Sequence, residues 1–225
     1  MSWSRVPDER FGRAIFLDRD GTINMDTHYP HRLEDLELVP GAATGLRKLA
    51  QLPALLIVVS NQSGIGLGRY TEQQMTQFNE ELRRRIEAVG GRLDAFYFCP
   101  HLEPSGRYRK ARGCSCCKPA PGLLLEAASD FGLDLGESFM VGDRVSDALA
   151  GQRAGARSLI VQTGKVGAEK GDLSPWSGQI VEGLLEAAHF IAGAMGLAEW
   201  EHETGRGARG SSQPVAASYQ ITRTA

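Results

Sequence analysis

Residues 54–59 read Ala-Leu-Leu-Ile-Val-Val, a short apolar run rich in β-branched side chains. Such a run predicts a strand covered on both faces, so layers are expected above and below it. Four more segments read as strands: Ala14–Leu17, Leu93–Phe98, Ser138–Val141 and Arg157–Val161. The stretches between them have helical character. The clearest begins at Thr71, an N-cap with Gln74 three residues on, and repeats Met75, Phe78, Leu82 and Ile86 at helical spacing. Others are expected from Pro40 to Leu49, Pro121 to Phe131 and Val145 to Ala154, with Ile180 to Met195 closing the fold. Strand and helix alternate about five times, the pattern of an α/β protein with an open, mostly parallel sheet and helices on both faces.

In such sheets ligands bind beyond the carboxyl ends of the strands. Asp18 and Asp20 follow the first strand in DRDGT, and Ser60 follows the second in SNQSG. Cys99 follows the third and leads through a cysteine loop to Lys118. Asp143 follows the fourth in GDRVSD, with Asp147 a turn later. Each residue alone has an ordinary explanation. Asp-Gly is turn chemistry, a lysine is usually a solvated charge, and GDRVSD reads as an N-cap followed by a first-turn acid. Asp147 is expected to keep that last role, steadying the helix start and supporting the site.

Together the strand-end groups suggest more. Carboxylates crowded in one crevice repel unless a cation sits among them. Oxygen ligands of this kind suit Mg²⁺, which also takes phosphate oxygens. A lysine and a hydroxyl opposite would orient a phosphoryl group. An aspartate beside the metal can attack phosphorus, and a second, two residues on, can shuttle the proton.

FLDRDGTIN, VVSNQSGIG, CKPAPG and MVGDRVSD resemble the four motifs of the haloacid dehalogenase-like (HAD-like) phosphohydrolases. The likeness is closer to the branch of D-glycero-D-manno-heptose 1,7-bisphosphate phosphatases and histidinol-phosphate phosphatases. It implies a three-layer, Rossmann-like (HAD-like) parallel sheet over residues 13–197. It also implies Asp18 as nucleophile and Asp20 as acid/base, with Mg²⁺ held by Asp18, the main-chain carbonyl of Asp20, and Asp143. Ser60 and Lys118 would stabilise the phosphoryl group. Asp26, Thr27, His28 and Tyr29, with Asn61, Gln62 and Ser63, would line the substrate entrance. The short spacing between motifs leaves no room for a large cap domain, so an open site taking a small phosphorylated sugar is expected.

Cys99-Pro-His101 and Cys114-Ser-Cys116 form two ligand pairs that close the intervening loop. Three thiolates and an imidazole suit a closed, structural Zn²⁺ site, and the resembling branch carries the same pairs. The zinc-bound loop would be fixed by metal where it has no hydrophobic pattern of its own. Cys117 stands where the family usually has an arginine that contacts substrate, and a thiol cannot offer a guanidinium's fork. Either Arg107, Arg109, Lys110 or Arg112 binds a distal phosphate instead, or the substrate differs; alternatively Cys117 takes the place of Cys116 as a ligand, though the spacing favours Cys114 and Cys116. Arg144 replaces a lysine common in the heptose enzymes and keeps the charge.

The net charge of −2 on 225 residues gives no case for nucleic acid or membrane as partner. No apolar leader is seen at residues 1–12, read as an N-terminal extension, and a cytoplasmic monomer with reduced thiols is expected. Residues 198–225, rich in Gly, Ser and Arg, read as a disordered tail. Two rivals stand beside the phosphatase. One is the same chemistry on histidinol phosphate or another small phosphosugar. The other is an inactive, zinc-stabilised binding protein, whose expected signature, loss of Asp18, Asp20 or Asp143, is not seen.

Overall fold

The computed structural model describes residues 12–101, 114–164 and 176–197. The predicted extension before Gly12, the loop bases Arg107, Arg109, Lys110 and Arg112, and the predicted tail lie outside these residues.

The strands are β1 (Ala14–Leu17), β2 (Leu55–Asn61), β3 (Ala95–Cys99), β4 (Phe139–Gly142), β5 (Arg157–Val161) and β6 (Gln179–Val181). They form one sheet in the order β3-β2-β1-β4-β5-β6, and every pair is parallel. Phe16 on β1 lies in register with Ile57 on one side and Met140 on the other. The two-residue period of the strands then divides their side chains between two cores. Ile15, Leu17, Leu56, Val58 and Val141 pack with Leu46 of α1 (Ala42–Leu49), Phe78 and Leu82 of α3 (Glu72–Ala88), and Leu184 and Ile191 of α6 (Leu184–Ala194). Ala14, Phe16, Ile57, Val59 and Met140 face the other way. They pack with Leu123, Leu124 and Ala127 of α4 (Gly122–Phe131) and Ala150 of α5 (Val145–Ala154). The fold is therefore the three-layer arrangement that the apolar strands demanded.

Thr71 caps α3 as predicted: its Oγ1 accepts from Gln74 N at 3.2 Å, while Gln74 Oε1 accepts from Thr71 N at 2.9 Å. One boundary differs from expectation. The segment expected to be helical from Ile180 begins as β6, because Ile180 pairs with Ile160 at the end of the sheet, and the helix starts only after Gly183. Asp143 does not cap α5. Arg144 is the N-cap, and its N–H donates to Asp147 Oδ2 at 3.0 Å, which leaves Asp143 to the site.

Between β1 and β2 the chain makes only one short 3₁₀ turn, Leu33–Asp35, and α1. Between β2 and α3 it makes only the four-residue α2 (Ser63–Gly66). Among the described residues there is no cap domain over the strand ends. No helix among them is long and apolar enough to cross a membrane.

Candidate active site

Because all strands run parallel, the residues that follow them meet at one rim. Asp18 leaves β1 with its N–H bonded to Val141 O at 2.9 Å, which fixes it against β4. Carboxylate oxygens of Asp18, Asp143 and Asp147 lie within 4.8 Å of one another, and all three residues are buried. Lys118, 1 % exposed, places Nζ 2.7 Å from Asp18 Oδ1, 2.6 Å from Asp147 Oδ1 and 2.8 Å from Val59 O. Burial and the neighbouring Asp18 charge push Asp147 up to about 6, against the pull of Lys118. Burial pulls Lys118 down, but the Asp147 and Asp18 carboxylates outweigh it and hold the ammonium above its ordinary value. When all are ionised, three acids and one lysine leave two negative charges on oxygen atoms. That donor set fits a hard divalent cation.

Glycines make the room for these carboxylates. Gly21 has φ +91, a left-handed conformation that costs a side-chain-bearing residue, and a Cβ there would run into the Asp143 carboxylate. A Cβ at Gly164 would strike the same carboxylate, and one at Gly142 would strike Asp147.

Lys118 is held through its own backbone. Asn61 Nδ2 donates to Lys118 O and Asn61 Oδ1 accepts from Lys118 N, both at 3.0 Å. The side chain predicted to face substrate thus orients the lysine. Gln62 is buried too, its Nε2 donating to Ser60 Oγ at 2.8 Å and to Asp20 Oδ2 at 3.2 Å. Ser63, partly exposed, begins α2. Asp20 accepts from both ends of the Arg19 guanidinium, at 2.8 and 2.9 Å, and from Asn24 Nδ2 at 2.9 Å.

The residues predicted at the entrance lie in the chain between β1 and the Leu33–Asp35 turn. Asp26 Oδ2 pairs with Arg144 Nη2 at 3.1 Å. Thr27 and His28 are exposed. His28 and Tyr29 both have left-handed backbones, φ 64 and 66, which is costly for residues with side chains. The Arg69 guanidinium sits 4.5 Å over the Tyr29 ring, and His31 stacks on Tyr70 with centroids 4.8 Å apart.

Cys99, His101, Cys114 and Cys116 gather as predicted, one ligand atom of each within 4.8 Å of all the others. Cys116 Sγ lies 2.9 Å from Cys114 Sγ and 3.0 Å from Cys99 Sγ, and His101 Nδ1 lies 3.2 Å from Cys114 Sγ. The neighbouring Cys116 and Cys117 thiols, with burial, hold Cys99 well above its ordinary value. Crowded soft donors of this kind fit a tetrahedral Zn²⁺, which would take them as thiolates. Cys117 is buried beside the cluster, with its Sγ toward Lys118 O at 3.7 Å.

Arg19, Tyr70 and Asn79 were not anticipated, and Asp147 was expected to steady the helix start and support the site. It does steady the helix start through Arg144 N, and it meets Lys118 Nζ directly.

Comparison with known proteins agrees with this geometry. A HAD-hydrolase-like family model matches residues 115–187. The D-glycero-beta-D-manno-heptose-1,7-bisphosphate 7-phosphatase of Pasteurella multocida is 38 % identical over 183 residues, 80 % of this chain and 97 % of that protein. The enzyme of the same name from Escherichia coli K12 is 40 % identical over 154 residues, 68 % of this chain and 80 % of that one. A crystal structure of D,D-heptose 1,7-bisphosphate phosphatase from B. bronchiseptica, complexed with magnesium and phosphate, superposes with a TM-score of 0.68 at 27 % identity, covering 81 % of this chain and 99 % of that one. The chain is thus a phosphatase of the HAD-like hydrolases and belongs to the family whose members are named D-glycero-beta-D-manno-heptose-1,7-bisphosphate 7-phosphatases.

Proposed function

We propose that the protein removes the 7-phosphate of D-glycero-D-manno-heptose 1,7-bisphosphate through an aspartyl-phosphate on Asp18. The observation that carries this reading is the meeting of Asp18, Asp143, Asp147 and Lys118 at one rim, in a chain whose relatives bear that enzyme's name. An Asp18 oxygen attacks phosphorus, and the ester oxygen leaves with a proton from Asp20. Asp20 then takes a proton from water, whose oxygen bonds to phosphorus as the bond from phosphorus to Asp18 breaks, releasing phosphate and restoring the Asp18 carboxylate. Lys118 and Ser60 orient the phosphoryl oxygens and balance their charge. Asp18, Asp143 and the Asp20 carbonyl would hold Mg²⁺, which when bound would offset the charge of carboxylates and phosphate together. Cys99, His101, Cys114 and Cys116 would hold Zn²⁺, which when bound would fix the chain leading to Lys118. A reducing, cytoplasmic setting would keep the Cys99, Cys114 and Cys116 thiols available to that metal.

A phosphate-release panel with Mg²⁺ tests the reading. It compares the heptose bisphosphate, the corresponding monophosphate, histidinol phosphate and p-nitrophenyl phosphate, for wild type and Asp18→Asn. The bisphosphate is expected to have the highest kcat/KM, and Asp18→Asn to release nothing above background. Faster turnover of histidinol phosphate would assign the sister activity. Equal constants for bisphosphate and monophosphate would mean that, with Cys117 in place of an arginine, no distal-phosphate pocket exists. Inert wild type would leave a binding protein.

A further inference from the structure

Four donors hold the Asp20 side chain. Oδ1 accepts from Arg19 Nε at 2.8 Å and Asn24 Nδ2 at 2.9 Å, and Oδ2 accepts from Arg19 Nη2 at 2.9 Å and Gln62 Nε2 at 3.2 Å. A carboxylate has about four lone-pair sites, so all are engaged while Asp20 is ionised, and carrying the proton means giving up one of these bonds, the longest being that from Gln62. Arg19 itself is 1 % exposed. Burying a guanidinium is costly unless partners surround it. Here they do: Asn79 Oδ1 at 3.0 Å, Pro30 O and Gln62 Oε1 at 3.1 Å, and the face of Phe78 at 4.6 Å. Stability alone does not call for such a group, since an apolar side chain against Phe78 would fill the space without the desolvation penalty. The charge stands where it bears on Asp20.

The same network runs outward to the predicted entrance segment. Tyr70 Oη donates to Gln62 Oε1 at 2.6 Å, and the Tyr70 ring stacks on His31. His31 Nδ1 lies 2.8 Å from Tyr29 O, and the next carbonyl, Pro30 O, accepts from Arg19. The segment that carries the left-handed residues His28 and Tyr29 is therefore tied, at Pro30 and His31, to the groups that hold Asp20. Strained backbone of this kind persists only where its surroundings over-determine it.

We infer that Arg19, backed by Gln62 and Tyr70, is the positioning residue that aims Asp20 for proton transfer and couples that aim to the His28–His31 entrance segment. The inference rests on the acid/base role proposed above for Asp20. Arg19 touches no reacting atom and acts through Asp20. Lysine cannot replace it, because one ammonium cannot reach both carboxylate oxygens and the Asn79, Pro30 and Gln62 acceptors in the plane of a guanidinium fork.

The test uses kcat/KM, which reports only steps through phosphoryl transfer to Asp18. Nitrophenolate departs without a proton, whereas the alkoxide of a sugar phosphate needs one. Loss of an aimed general acid therefore lowers kcat/KM on the alkyl ester by about 10²–10⁴-fold and far less on the aryl ester. Wild type, Asp20→Asn, Arg19→Lys and Tyr70→Phe are compared on p-nitrophenyl phosphate and on the best-turned-over sugar phosphate of the panel. Asp20→Asn and Arg19→Lys are each expected to lose at least about tenfold more on the sugar phosphate than on the aryl ester. Tyr70→Phe is expected to show the same asymmetry to a smaller extent. An Arg19→Lys protein that melts like wild type and loses equally on both esters, or loses nothing, overturns the inference. If Arg19→Lys does not fold, Tyr70→Phe decides, and a symmetric loss or none overturns the inference. Equal losses in Asp20→Asn would instead remove Asp20 as the general acid and bring down the proposed mechanism itself.

Discussion

Lys118 Nζ lies 2.6 Å from Asp147 Oδ1, while the same nitrogen lies 2.7 Å from Asp18 Oδ1 on the other side. One buried cation thus separates the proposed nucleophile from an acid at the start of α5. In Lys118→Met the carboxylates face each other with no counter-charge, and breaking a buried pair in this way costs about 3–5 kcal/mol. Denaturant unfolding of the metal-free variant should show a loss of that size. Mg²⁺ in excess should recover part of it, because an ion that binds only the folded site adds its binding free energy to stability. Phosphate release should fall by about 10²–10³-fold, the usual effect of removing one charge-stabilising donor. A variant as stable as wild type without Mg²⁺ would show that the acids are already neutral.

Gly21→Ala tests how tightly the Asp143 carboxylate is cradled. The substitution forces a side chain into φ +91 and drives a Cβ into that carboxylate. The expected loss is about 1–3 kcal/mol of stability from the backbone and the displaced side chain. A rise in the Mg²⁺ concentration needed for half-maximal turnover should accompany it. Thermal unfolding and a Mg²⁺ titration of activity read the two effects separately. Gly132→Ala is the control, since it shares the left-handed backbone, φ +65, with nothing near its missing Cβ. It should lose stability without changing the Mg²⁺ requirement.

Much of this site is legible in the sequence because parallel strands deliver their C-terminal residues to one place. Once Ala14–Leu17, Ala54–Val59 and Ser138–Val141 read as strands, Asp18, Ser60 and Asp143 fall at the same ends of a parallel sheet without further information. The cysteine cluster is equally readable, since short ligand spacings survive any loop conformation. Asp147 was harder. Its place in the first turn of α5 is plain, but its approach to Lys118 depends on Gly142 lacking a side chain. Arg19 was harder still, because an arginine between two acids reads as a solvated charge, and several of the partners that make its burial tolerable, Gln62, Phe78 and Asn79, lie far along the chain. The strand at Gln179–Val181 is short and largely exposed, so its residues merged into the pattern of the helix behind them.

Tyr70 carries an alkaline signature. Burial pushes its phenol up to about 12, against the pull of Arg19. A folded value above the unfolded one, near 10, means that the native state binds the proton more tightly. This contribution is fully present below about pH 10 and is lost as pH rises toward about 12. Wild type should therefore lose on the order of 1–3 kcal/mol more than Tyr70→Phe across that window. Urea unfolding of both proteins at matched pH isolates the difference from other titrating groups. Parallel curves would mean that the phenol ionises as freely in the folded protein as in the unfolded chain.

The cysteine cluster and the phosphatase rim share a few residues of chain: Cys116 is a cluster member, Cys117 packs against Cys99, and Lys118 reaches Asp18. Gly122 N bonds back to Ser115 O at 2.9 Å, and Asn61 grips Lys118 from β2. Displacing the cluster should therefore be felt at Lys118. Cys114→Ser removes one soft donor from a four-donor set and should leave the purified protein without bound zinc, measured by elemental analysis. Its kcat should fall because the lysine is no longer held, while Mg²⁺ dependence stays near that of wild type, since Asp18 and Asp143 are positioned by β1 and β4 instead. A strong zinc chelator on the wild type should reproduce that pattern, with activity returning when Zn²⁺ but not extra Mg²⁺ is added back. A Cys114→Ser protein that holds no zinc yet turns over at the full rate would show that Asn61 and the ion pairs with Asp18 and Asp147 hold Lys118 without the clamp.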